Sequence, residues 1–325
     1  MAVNFTEPER KNVEVQFEAQ SSTEISSKIG GESVTITVSQ PNKFKTPKVT
    51  DAVELSDMLE TVDIRYVAST AGYSNGDSVD SWSNSGDLSG YDLSNENKNT
   101  STHPTFDTDD AANPFSDGAM KFVIDASDYN SDYLHWGTDS SRKTLAPSGD
   151  FTMYMVMAST SAAAKKSHSP LWIQGVGSQA EDKSQTAVDT FVSPGNPNFL
   201  SCRLKGPNFT STEVDPLATV TISDQRYETS NVSDGIVLVI TVDKDGKVVS
   251  YNSNSKRSTE ATIDSSRSWK ADTFGGPDGV NSLLPHDRST GDTLYVAEFG
   301  YWGSKIEGQQ AAALGRLLAE KYKVS

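Results

Sequence analysis

The end of the chain constrains the fold more than any other stretch. Residues 293–302 (TLYVAEFGYW) form a strand pattern that runs into one amphipathic helix over 306–322. Strict alternation turns Leu294, Val296, Glu298 and Gly300 to one face and Tyr295, Ala297, Phe299 and Tyr301 to the other. In the helix, Ile306, Ala313, Leu314, Leu317, Leu318 and Tyr322 recur at helical spacing and form one apolar stripe. This is the one long helical pattern in a chain of short strands and polar turns. A β-protein that closes on a single helix needs a sheet face on which to lay that stripe.

The composition agrees. Only 35% of the 325 residues are hydrophobic, and Ser, Thr, Asn, Asp and Gly crowd the connections. Many short strands joined by solvated turns have this balance; helical bundles do not. Expected strands include 62–67, 121–125, 151–157, 170–174, 199–204 and 219–223. The clearest hairpin joins 235–242 to 247–252 through Asp243-Lys244-Asp245-Gly246, with glycine supplying the positive φ of the turn. Ile236 to Val242 is apolar on both faces, which predicts a strand in the middle of the structure. A short helix is expected over 52–59.

Four stretches, in order, resemble concanavalin A-like, laminin-G-type jelly-roll domains. Val79-Asp80-Ser81-Trp82 looks like an early "v..W.d.sg" strand. Residues 120–125 (MKFVID) with Asp132-Tyr133-Leu134 look like an "alrFdg..dyL" pair, and 148–157 (SGDFTMYMVM) like the central "gdFTlf.vf" strand. Ala297-Glu298-Phe299 with Leu318-Ala319-Glu320-Lys321-Tyr322 looks like the closing "aEv.iy.r" strand and "yLa.KYg" helix. The resemblance covers roughly 60–325. It implies an all-β, two-sheet antiparallel jelly-roll sandwich with one C-terminal helix packed on it. It also places Trp82 in the core; Tyr154, Trp172 and Trp302, on expected strands, belong there too.

The first fifty residues differ. They hold six Lys/Arg and six Glu with no Asp, so the whole −16 net charge belongs to the remainder. Residues 12–17 and 33–39 alternate like strands, yet two strands alone are marginal in water. Residues 40–48, with two prolines, read as a linker. The expectation is an extended N-terminal arm, 1–50, that engages another chain by strand addition, followed by the jelly-roll domain, 51–325. Homo-oligomers and neighbouring virion proteins are its expected partners.

Chemistry is sparse. A retaining glycosidase needs two carboxylates about 5 Å apart; the related glucanases carry a Glu-x-Asp-x-(x)-Glu strand that does not occur here, and Glu298 stands alone on its strand. His103, His135, His168 and His286 are scattered and read as surface loop residues. Cys202 reads as a small buried strand residue. Not an enzyme is the expectation. The acidic charge argues against nucleic acid, and no apolar run suits a membrane span.

Two ligand sites are expected. Asp107, Asp109 and Asp110 form the densest acidic loop cluster, whose repulsion a cation such as calcium would relieve; Asp77 with Asp80, and Asp125, Asp128 and Asp132, are weaker groups. Tyr129, Tyr133 and Trp136 form an aromatic cluster in turn-rich sequence, suited to stacking on a sugar ring. A lectin-like fold without an export signal or a cysteine pair suggests a phage virion protein made in host cytoplasm and released by lysis: a capsid decoration, fibre or tail adhesin binding host-surface glycan or neighbouring subunits. The competing classes are a bacterial cell-surface carbohydrate-binding module and a glycoside hydrolase.

Overall fold

The computed structural model describes residues 19–29, 32–41, 55–96, 103–124, 132–138, 141–159, 168–173, 185–192, 199–205, 216–223, 234–263, 269–275 and 292–324. In chain order the elements begin with β1 (Ala19–Ile29), β2 (Glu32–Pro41), α1 (Leu55–Leu59), β3 (Ile64–Val67), β4 (Ser81–Trp82), β5 (Leu93–Ser94) and β6 (Thr105–Asp107). Next come β7 (Ala119–Ile124), β8 (Tyr133–Thr138), β9 (Ser141–Arg142), β10 (Phe151–Ser159), β11 (His168–Ile173), β12 (Gln185–Val192) and β13 (Phe199–Lys205). The chain ends with β14 (Pro216–Ser223), β15 (Ile236–Val242), β16 (Lys247–Asn252), β17 (Ala261–Thr262), β18 (Thr273–Gly275), β19 (Asp292–Trp302) and α2 (Gly308–Tyr322).

Two compact units divide the chain, Met1–Ala52 and Val53–Ser325. In the first, β1 and β2 pair antiparallel, with Ile25 opposite Ile36 and Thr23 opposite Val38. The strands expected over 12–17 lie outside the described residues, and so does most of the expected linker.

The second unit is a two-sheet antiparallel sandwich with one C-terminal helix, as the sequence predicts. One sheet runs β17-β16-β15-β10-β19-β7-β6, with β3 also pairing β19; the other runs β14-β13-β12-β11-β18-β8-β5-β4, with β9 beside β8. Between the sheets lie Phe299, Met155 and Leu238 from the first and Phe274, Trp136 and Leu204 from the second, with Trp82 and Cys202. All are buried, and each large apolar side chain so removed from water contributes about 1.5–3 kcal/mol. Every residue of β10 and β15 is buried, because helix covers one face of their sheet and the second sheet covers the other.

The helix face has its own core. Tyr154, Val156, Val237, Val239, Tyr295 and Trp302 meet Ala311, Leu314, Leu318 and Tyr322 of α2. The buried stripe therefore centres on Ala311, Leu314 and Leu318, rotated slightly from the expected one, with Ala313 and Leu317 at its flank. Gly315 lets helix and sheet approach closely: a Cβ there would sit 2.5 Å from the Asn252 carbonyl oxygen. The helix ends at Lys323, whose φ of 55° is left-handed. The Val324 N–H donates to the Ala319 carbonyl at 3.0 Å, satisfying the final turn, while Val324 is buried against the helix-side core. No helix among the described residues is long and apolar enough to cross a membrane.

Strict alternation along β19 fails at one point. Val156 of β10 pairs with Glu298 but Met157 pairs with Val296, leaving Ala297 as the extra residue of a β-bulge. Leu294 and Val296 face the sandwich interior with Phe299 and Tyr301, whereas Tyr295, Ala297 and Trp302 face the helix. The bulge coincides with a change of neighbour on the other side of β19, from β7 (292–296) to β3 (298–301). Replacing Gly315 by Ala should force α2 off β16 and lower stability by about 1–3 kcal/mol, read as an earlier urea midpoint with an unchanged m-value.

Candidate functional site

The bulge turns Glu298 toward the helix. Its side chain is fully buried, yet four groups converge on it. The Arg65 Nε–H from β3 donates to Oε1 at 2.8 Å, and the Tyr154 hydroxyl from β10 donates to the same oxygen at 2.6 Å. From the last turn of α2, the Lys321 ammonium and the Tyr322 hydroxyl, the latter at 2.5 Å, donate to Oε2. Gly300 makes this possible, since it lies opposite Tyr154 in the ladder and a Cβ there would sit 2.1 Å from the tyrosine Cε1.

Burial alone would push the Glu298 carboxyl up, but the Lys321 charge, then Arg65, and the hydrogen bonds hold it below its ordinary value. Burial, and then the neighbouring carboxylate, push the Tyr154 and Tyr322 phenols up, so both stay protonated donors. The cluster thus holds one anion and two cations. It opens on one side into a cleft of about 370 Å³ lined by Leu55, Ser56, Leu59 and Glu60 with Arg65 and Lys321.

The structure corrects the expected sugar platform. Trp136 is fully buried; its Nε1–H donates to the Tyr66 hydroxyl at 2.7 Å, and that hydroxyl donates to the Tyr91 carbonyl. Tyr133 is 4% exposed. Period 2 along β8 sends Leu134 and Trp136 into the interior, and Tyr133, on the opposite parity, is buried as well, so neither aromatic ring is open to solvent; Tyr129 lies outside the described residues. His135, expected on a loop, is fully buried on β8, and His103 is buried too.

The acidic cluster is also reassigned. Asp107 and Asp110 come together around Lys121, whose ammonium lies 3.7 Å and 2.7 Å from them; Asp109 is exposed. The Tyr295 hydroxyl donates to Asp110 at 2.7 Å. Lys121, then the Ala112 N–H and Tyr295, hold the Asp110 carboxyl well below its usual range. A lysine of the same chain relieves the repulsion between Asp107 and Asp110, and no group of three His, Cys, Asp or Glu among the described residues is placed to hold a metal. Asp125 and Asp128 lie outside those residues. Asp132 instead closes the β7–β8 connection, accepting from the Val123 N–H at 2.7 Å.

Glu298 is the residue that sequence reasoning undervalued. It was legible as the one charge in an apolar strand, in a resemblance that also contains Lys321-Tyr322. Only the fold brings these two fragments, and Arg65, together.

No protein-family model matches the chain, and no curated protein matches it in sequence. Among solved structures it is similar to the binding domain of botulinum neurotoxin serotype C1, at 10% identity and TM-score 0.42, over 80% of this chain and 53% of that one. It is also similar to the binding domain of botulinum neurotoxin DC solved with rat synaptotagmin II, at 10% identity and TM-score 0.47, over 80% and 52%. The chain spans about half the length of these solved chains. Likeness of this degree carries no information about a ligand.

Two outcomes follow. Glu298→Gln leaves Arg65 and Lys321 without their counter-charge and should cost about 3 kcal/mol; Tyr154→Phe, which removes one donor and leaves the charges paired, should cost about 1 kcal/mol, both read by urea unfolding. For Asp132, burial raises the carboxyl from its ordinary value to about 7, against the opposing Val123 hydrogen bond. Between roughly pH 4 and 7 the folded state then holds a proton that the unfolded state has lost, so stability falls as pH rises through this window and levels off above it. Asp132→Asn should abolish that fall, so the variant gains on the parent between pH 5 and pH 8; parallel pH profiles would contradict this.

Proposed function

We propose that this chain is a non-enzymatic virion structural protein: a lectin-like sandwich displayed on a phage particle as a capsid decoration, fibre or tail adhesin, with the first fifty residues as its anchor. The observation that carries this reading is the division into Met1–Ala52 and Val53–Ser325, the first holding, among its described residues, a single strand pair. One parity of the β1–β2 ladder holds Ile25, Ile29, Val34, Ile36 and Val38, interspersed with Ser21, Thr23, Ser27, Glu32 and Gln40, and the other holds Ser, Thr, Glu and Lys alone. A two-stranded sheet of this kind is marginal in water and gains stability by laying its apolar parity on another chain, which is what an anchor does.

The sandwich suits binding better than hydrolysis. Glu298 is locked as an anion beneath α2, and among the described residues its partners are two cations and two phenols, with no second carboxylate. The concanavalin A-like motifs support glycan on a host surface as the ligand, with neighbouring shell proteins as the alternative use of the same domain. Assembly in host cytoplasm and release by lysis complete the reading.

Deleting residues 1–52 should leave a soluble, cooperatively folded sandwich that no longer joins particles, measured by thermal unfolding and by co-sedimentation with purified virions. A truncated chain that fails to fold would instead make the segment part of the domain. Release of sugar from any polysaccharide by the intact chain would overturn the non-enzymatic reading.

A further inference from the structure

We propose that the cleft between α1, β3 and the last turn of α2 binds a carboxylate carried on a ligand about the size of one sugar ring. Arg65 and Lys321 face it, with side chains 23% and 34% exposed, and they share a single counter-ion, Glu298, which lies fully buried behind them. A guanidinium carries five N–H donors and an ammonium three, and Glu298 takes one of each. Among the described residues no other carboxylate lies within ion-pair distance of either cation; the acidic residue at the rim, Glu60, is exposed and unpaired with them. Arg65 and Lys321 together outweigh Glu298 by one positive charge, with the exposed Glu60 as the other charged residue lining the cleft, in a chain whose net charge is −16.

That surplus selects a monoanion, and the chemistry of the donors selects a carboxylate. The planar guanidinium edge meets the two oxygens of a carboxylate, and the adjacent ammonium supplies a point charge. Both cations are already oriented by Glu298, so a ligand orders little on arrival. Leu55 and Leu59 give the cleft an apolar wall and Ser56 a hydroxyl. A volume of about 370 Å³ stands at the small end of ligand sites, which run from roughly 300 to 1,000 Å³. Under the glycan-binding reading, on which the identity of the ligand rests, these features describe an acidic sugar.

The test uses the full chain at low salt, with glucuronate, glucose and acetate titrated calorimetrically. Two rim substitutions leave the buried ion cluster untouched, because Ser56 and Glu60 are exposed. Glucuronate should saturate one site, with glucose showing no binding and acetate binding more weakly than glucuronate. Ser56→Glu should weaken glucuronate about tenfold and Glu60→Gln should tighten it about threefold, as expected for one added or removed charge near the carboxylate. Binding that is equal for glucuronate and glucose, or unmoved by both substitutions, would overturn the site. A neutral glycan bound equally well by the parent and by Ser56→Glu would leave the glycan reading in place and sink this inference alone.

Discussion

A carboxylate with no solvent exposure in the central strand of a sandwich is an expensive group, and everything around it follows from that. Removing such a charge from water costs several kcal/mol even after relaxation. Glu298 is tolerable only because β3, β10 and α2 each bring a donor to it. The reverse also holds. An apolar strand and an apolar helix stripe can slide against each other by a turn with modest loss, whereas a buried anion with two cations and two phenols accepts one register. The cluster thus selects a single docking of α2 on the sheet, whatever its net contribution to stability.

The bulge at Ala297 and the bare Cα of Gly300 are the local devices that permit this arrangement. Without the bulge, Glu298 would face the sandwich interior among apolar side chains such as Met155, Leu238 and Phe274, away from Lys321 and Tyr322 of α2. Without Gly300, the Tyr154 ring could not lie across β19. The sheet edges are managed with similar economy: β17, β6 and β4 have two or three residues each, and Thr259 exchanges hydrogen bonds with Thr221 of β14 at 2.9 Å in both directions. Short or covered edges discourage unplanned strand pairing.

Charge elsewhere shows how adjacency in sequence can mislead. Asp107, Asp109 and Asp110 read as a metal loop because three carboxylates within four positions repel one another. Lys121, eleven residues beyond Asp110 on the neighbouring strand, answers that repulsion within the chain. Tyr133 and Trp136 read as surface aromatics because Asp, Asn and Ser precede them. Their strand begins at Tyr133, directly after that polar turn, and its first four residues are buried on both parities, which the turn-rich sequence before it does not announce.

The strands β3, β7, β10, β11, β13 and β14, the β15–β16 hairpin and the closing helix were legible in the sequence because each is specified by local periodicity and turn chemistry, whereas β1, β8 and β12 were not. Ile236–Val242, apolar on both faces, is buried on both faces. The expected strands also marked Cys202, Tyr154 and Trp302 as core, and the jelly-roll resemblance marked Trp82; all four are buried. What only the tertiary structure decided is who meets whom across long separations. Arg65 and Glu298 lie 233 positions apart, and Tyr154 and Glu298 lie 144 apart; no local pattern encodes such pairings. A strand's alternation predicts two faces but not the bulge that exchanges them, and it was the bulge that moved Glu298 from the interior to the helix, where its partners and the cleft beside them lie.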